Sequence, residues 1–299
     1  MIIRHWMDCP IVNNRRLREW RIFTRRQGDK PNAETGEVCF DFNCYGRAVV
    51  IPGVTTEAAA YEREVESMCV ASGEGHLVVE GQDFPIRAGS SFTIPAGIDH
   101  HFKNAGSVEL EFIFGRRPPA RTDREFILTH WTEDHVGTER GAFYQSHWNY
   151  IARGPVGEVH FGDIPPHKFG QPHNHIPIVD EIWYIQRGDC WHWMGQEFRP
   201  QSPGYALWLD PTELHALMNP SETNVEYIYC GSWALSRDRD RQQKEEEALP
   251  GTSLEMVAAL EKRFEGLFDA YRKTGLNIQG VDMNAPQIER LIQALKEVC

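Results

Sequence analysis

The chain has no apolar run long enough to span a bilayer, and its opening residues, Met1 to Asp8, show no apolar core behind a basic patch. A membrane span and a secretory leader are therefore not expected. Positive charge is also in short supply: 31 Lys and Arg stand against 43 Asp and Glu, a formal charge of -12. That balance argues against a nucleic-acid partner and against an anionic membrane surface. No glycine-rich phosphate loop opens a helix, and there is neither a nucleophile elbow nor a dinucleotide fingerprint, so ATP, NAD and covalent serine chemistry have no support. The seven cysteines are odd in number and lack paired C-x-x-C spacing, which speaks against a zinc ribbon or a dithiol redox motif. Reduced thiols in a cytoplasmic protein are the expectation.

What is present is enough apolar material, 41% of 299 residues, for one large domain or two ordinary ones. Up to about Asp41 the sequence is mixed and basic (Arg15, Arg16, Arg18, Arg21, Arg25, Arg26), a solvated face suited to an acidic body. From there to about Trp233, short runs rich in Val, Ile, Phe, Tyr and Trp are cut by Gly, Pro and Asp, the pattern of an all-β sandwich or barrel. A dense charge run, Ser236 to Glu247, then leads to two amphipathic stretches. Leu254, Val257, Leu260, Phe264, Leu267, Phe268 and Tyr271 recur at helical spacing behind a Thr252/Glu255 cap, and Ile288, Leu291, Ile292, Leu295 and Val298 behind Asn284/Gln287. These two C-terminal helices are expected to pack on the β body, with a homo-dimer contact as the alternative.

The β region repeats itself at an offset of 115 residues. Glu66 falls on Glu181, Gly73 on Gly188, Gly89 on Gly204, His100 on His215 and Asn104 on Asn219, without a gap. The reading is two copies of one unit: residues 1–118 hold an arm and the first copy, 119–235 the second, and 236–299 the linker and helices.

The second copy carries metal-ligand residue types at strand spacing. His173 and His175 are two apart, so on an extended strand both imidazoles point one way. Glu181 opens the next apolar run, with Asp180 as the competing carboxylate, and His215 lies further on. The repeat register favours Glu181. Three imidazoles and one carboxylate suit a divalent transition metal, Fe, Mn, Ni, Cu or Zn, better than Ca or Mg. In the first copy Ala58 and Ala60 replace the two histidines, so a single site is expected, with Glu66 and His100 left to hydrogen bonding and Glu62 and Glu64 solvated or paired. Trp183, Tyr184, Trp191, Trp193, Trp208, Tyr227 and Tyr229 surround the ligands in sequence, and strand alternation turns about half of them inward. His167 and Tyr229 are candidates to contact a substrate or steady the ligands.

With the ligand set and the duplicated unit in view, the chain resembles the cupin superfamily, in particular its two-barrel (bicupin) members, over roughly Asp41 to Trp233. Gly89, Pro95, Gly97, His100 and Asn104 look like the second cupin motif, and His173, His175, Glu181 and Gly188 like the first. The spacing from His175 to Glu181 is longer than usual, and Glu213 stands near an expected glycine. The resemblance implies two tandem jelly-roll-type β-barrels with one metal, His173, His175, Glu181 and His215 being its ligands. It also implies an enzyme acting on a small oxygen-rich or aromatic molecule. An Fe(II) dioxygenase is the leading expectation; a lyase, isomerase or aminohydrolase using Mn, Ni or Zn, and a non-enzymatic binder, are the others.

Overall fold

The computed structural model of the chain describes residues 1–119, 123, 125–130, 136–138, 147–154, 157–164, 166, 179–194, 197–210, 213, 215–219 and 221–233. His167, His173, His175, Cys299 and the two expected helices lie outside the described residues. The fold is nearly all β, with cupin-like sheets. Strands begin earlier than the composition suggests. The basic arm already holds β1 (Ile2–His5), β2 (Ile11–Asn14), β3 (Leu17–Arg25) and β4 (Glu37–Cys39). Leu17, Ile22 and Phe23 are buried while neighbouring arginines stay at the surface, so a β pattern was present under the charge.

The first body continues with β5 (Cys44–Val50), β6 (Val65–Ser72), β7 (Glu74–Val79), β8 (Gln82–Arg87), β9 (Ser90–Ile94), β10 (His100–Lys103) and β11 (Leu110–Arg117). After β12 (Ile127–His130), β13 (Val136–Thr138) and β14 (His147–Gly154), the second body repeats the plan. It comprises β15 (Gly157–Ile164), β16 (Val179–Arg187), β17 (Cys190–Met194), β18 (Glu197–Gln201), β19 (Tyr205–Leu209), β20 (His215–Met218) and β21 (Val225–Trp233). Each body pairs a large sheet with a three-stranded one, β10-β7-β8 in the first and β18-β17-β20 in the second. The large sheets run β12-β9-β6-β11-β5-β3-β2 and β1-β19-β16-β21-β15-β14-β13. The two orders correspond strand for strand, and each is edged by a strand from the other side of the chain: β1 joins β19, and β12 joins β9.

The turns repeat as well. Gly73 and Gly188 adopt φ of +83° and +80°, and a Cβ would lie 2.4 Å from the Glu109 carbonyl oxygen in one and 2.7 Å from that of Asn224 in the other. Only glycine combines the left-handed conformation with that approach. Asn104 donates through Nδ2 to the carbonyls of Val50 and Val108, at 2.8 Å each, and Asn219 repeats the clasp on Ile164 and Thr223 at 2.7 and 2.8 Å.

The central strands are buried on both faces, which is why they read as almost unbroken apolar runs. Alternation sorts them into layers. In β6, Met68 and Val70 join the interior of the first body, while Cys69 and Ala71 join a middle layer. In β16, Trp183 and Ile185 enter the interior of the second, and Ile182 and Tyr184 meet the same middle layer with Phe42, Tyr45 and Trp208. Odd positions of β16 thus face the second interior and even positions face the first body. All six described cysteines are free and buried. Among the described residues, no helix is long and apolar enough to cross a membrane.

Candidate metal centre

The alternation along β16 settles which way the two competing carboxylates point. Asp180, at an even position, is fully buried in the middle layer. It accepts from the backbone N–H groups of Phe40, Asp41 and Phe42 at 2.8, 2.6 and 2.9 Å, and from Trp208 Nε1 at 3.2 Å. It ties the two bodies together. Glu181, at an odd position, turns into the second interior, where it is 2% exposed. There Trp183 Nε1 donates to its Oε1, and its Oε2 lies 3.5 Å from Nε2 of His215.

His215 sits at the start of β20, and its Nδ1 is 3.0 Å from the Glu213 carbonyl. A carbonyl only accepts, so Nδ1 carries a proton and Nε2 is the nitrogen on the Glu181 side, the one left for a metal to take. Trp183 lies stacked on Tyr227, centroids 4.9 Å apart, and meets Tyr229 edge-on at 6.4 Å. Tyr229, singled out from the sequence, therefore faces this interior, with its hydroxyl lying over Gly231.

The first body shows what the same register becomes when it is closed. His100 Nδ1 meets the Ile98 carbonyl at 3.0 Å, and its Nε2 lies 3.0 Å from Glu66 Oε2. Arg116 then fills the centre, donating through Nε to Glu66 Oε1 at 2.6 Å and through Nη1 and Nη2 to Glu19. Burial alone would raise the Glu66 carboxyl, but Arg116 and His100 outweigh it and hold it at about 2. Glu62 is exposed, and Glu64 accepts from Asn43 at 2.6 Å, so neither joins a cluster. At the offset of 115 residues, the place of Arg116 is taken in the second body by Gly231. A guanidinium occupies the centre of one interior, and a residue without a side chain stands at the matching position in the other.

Two buried polar residues of this interior were not singled out from the sequence. His192, on β17, shares the inward face of Cys190 and Met194 and is 1% exposed. It meets Trp183 edge-on at 5.2 Å. Burial, reinforced by His215, pushes its ring down to about 3, against the pull of Glu181 and Gln201. Gln201, at the end of β18, is 3% exposed. It lies close enough to bias the His192 ring, yet none of the side-chain nitrogens or oxygens of these two residues meets hydrogen-bond geometry. The repeat could have found them: at the same offset they replace Leu77 and Ile86, both apolar core. Among the described residues, no group of three or more His, Cys, Asp or Glu is arranged to hold a metal. Glu181 and His215 supply two donors of the expected four, and His173 and His175 lie outside the described residues. The pair fits a divalent transition metal by donor type and by the proton placed on Nδ1.

Comparison with known proteins bears on the fold. Residues 46–115 match the family model described as "Cupin domain". Over 69 residues, 23% of this chain and 57% of the relative, it is 32% identical to an oxalate-binding protein of Thermotoga maritima. The chain spans 49% to 65% of the length of the curated relatives it matches. Among solved structures, salicylate 1,2-dioxygenase from Pseudoaminobacter salicylatoxidans superposes with a TM-score of 0.60 at 11% identity, covering 80% of this chain and 82% of that one. Oxalate decarboxylase from Bacillus subtilis gives 0.56 at 10% identity, covering 77% and 75%. Those likenesses, at such low identity, are likenesses of fold. The family match is thus confined to a cupin domain in the first half of the chain, at residues 46–115, and the solved structures share its fold along most of its length.

Proposed function

We propose that the chain is a metal-dependent enzyme whose single centre lies in the second barrel, within residues 119–235, held by His173, His175, Glu181 and His215, and that it is an Fe(II) dioxygenase of a small oxygen-rich or aromatic molecule. The observation that carries this reading is the contrast at one register: Glu181 and His215 face each other in an aromatic interior with Gly231 beside them, where the first body has locked Glu66 and His100 onto Arg116. A bound divalent ion would supply Lewis acidity and, as iron, a coordination position for dioxygen. The residues themselves do the rest. Trp183 fixes the orientation of the Glu181 carboxylate through its indole N–H. The Trp183, Tyr227 and Tyr229 rings exclude water and offer flat apolar faces to a planar substrate.

The second reading is redox-neutral chemistry, by a lyase, isomerase or aminohydrolase. His192 favours it, because it sets a buried neutral imidazole, with one N–H and one ring lone pair, in the interior of Glu181 and His215. Metal analysis of protein purified without added metal, followed by oxygen uptake with a panel of hydroxylated aromatic acids, separates the two. Iron with substrate-dependent uptake is the expected outcome; Mn, Ni or Zn with turnover under anaerobic conditions would replace the first reading by the second. His175→Ala is expected to abolish metal retention, and native metal content in that variant would dismiss the ligand set.

A further inference from the structure

Polar side chains buried without other partners destabilise a fold, so two of them side by side in the interior that holds Glu181 and His215 call for a ligand. His192 and Gln201 are such a pair, at 1% and 3% exposure: apart from their interaction with each other, the nitrogen and oxygen atoms of their side chains have no hydrogen-bond partner. The first body serves as an internal control. On the same strands and in the same register it places Leu77 and Ile86 there, packed into its apolar interior, and it has Arg116 where the second has Gly231. The second body has therefore exchanged two apolar side chains for hydrogen-bonding ones and a filled centre for a glycine. These replacements all line the same interior.

We propose that His192 and Gln201 form a recognition pair for a neutral end of the substrate that both donates and accepts hydrogen bonds, of which a carboxamide is the simplest, held beside Glu181 and His215. The proposal rests on the reading of the second interior as the substrate site. A neutral imidazole offers one donor and one acceptor, and a primary amide offers both, so the pair is complementary to a group of the same kind. A carboxylate would call for a buried cation instead. Among the described residues, no buried lysine or arginine lies on β16 to β21. Arg199, opposite His192 on the neighbouring strand, is exposed and engages Glu197 at 2.6 Å.

The test uses the full chain after its metal has been removed with a chelator, because a bound ion would take both carboxylates of oxalate, and two probes of nearly equal size, oxamate and oxalate, which differ by a carboxamide against a carboxylate. Titration calorimetry near pH 7 is expected to show oxamate bound about tenfold more tightly than oxalate by the wild-type protein. His192→Leu and Gln201→Ile, which install the residues of the first body, are expected to bring that ratio close to one. Metal content before chelation should stay at the wild-type level and the melting temperature should not fall, because each change removes a polar group with no partner outside the pair. Equal binding of the two probes, or tighter oxalate binding, by the wild-type protein would overturn the proposal. So would variants that keep the preference, a His192→Leu protein that loses its metal, or a melting temperature that drops in both variants. An oxamate preference in protein that proves to hold no metal as purified would keep this pair while the metal reading alone falls.

Discussion

At the scale of single residues, the adjacent carboxylates Asp180 and Glu181 do opposite work because one strand position separates them. Glu181→Gln keeps the shape and the contact with Trp183 in place but weakens a metal ligand, so metal content and turnover are expected to fall at least about tenfold with little loss of stability. Asp180→Ala is expected to do the reverse. It strips the acceptor from three backbone N–H groups and an indole, and should cost about 3 kcal/mol or more in chemical denaturation while the folded fraction retains its metal. Metal loss from Asp180→Ala with stability unchanged would reverse the two assignments. The buried ion cluster of the first body gives a pH signature. Glu66 is held at about 2, below the ordinary 4.5, so the stability it contributes is complete above about pH 4.5 and is lost as pH falls through about 2. Denaturant midpoints measured across that window should decline in the wild-type protein and decline less steeply in Glu66→Gln, which starts from a lower stability at neutral pH.

At the scale of the strand and turn, the repeat was the most informative thing in the sequence. It paired Glu66 with Glu181 and His100 with His215, and both pairs stand at matching places in the two bodies, the carboxylates on the large sheets and the imidazoles on the three-stranded ones. Glycines carry their own prediction here. Gly188→Ala puts a Cβ against a backbone carbonyl at 2.7 Å in a left-handed conformation, so it should destabilise by about 1–3 kcal/mol, read by thermal or denaturant unfolding. A neutral result would mean that the β16–β17 turn can be rebuilt. The arm was less legible. Its strands alternate buried residues with arginines, such as Leu17 with Arg18 and Ile22 with Arg21, and local charge hid a pattern that only the neighbouring sheet makes sense of. His192 and Gln201 were missed for a related reason. A lone histidine and a lone glutamine in strand runs read as surface residues until the matching Leu77 and Ile86 show that the position is interior.

At the scale of the whole molecule, the nearly all-β architecture was readable from strand runs and turn residues, because both depend on local chemistry, while the cupin-like arrangement of the sheets was implied by the resemblance alone. The joining of the two bodies was not, because it depends on contacts such as Asp180 with Phe40 to Phe42 that lie far apart in the chain. The exchange of edge strands carries a consequence for how the chain is made. β1 is synthesised long before β19, the strand it pairs with, since Ile2 meets Trp208. β9, the edge of the first sheet, waits only for β12, where Ile127 meets Thr93. The first sheet can therefore close its edge on the emerging chain early, while β1 must stay unpaired through most of synthesis. Such long sequence separation slows folding, and an open strand invites wrong partners; Arg4, the one Lys or Arg on β1, opposes such pairing until its distant sheet arrives.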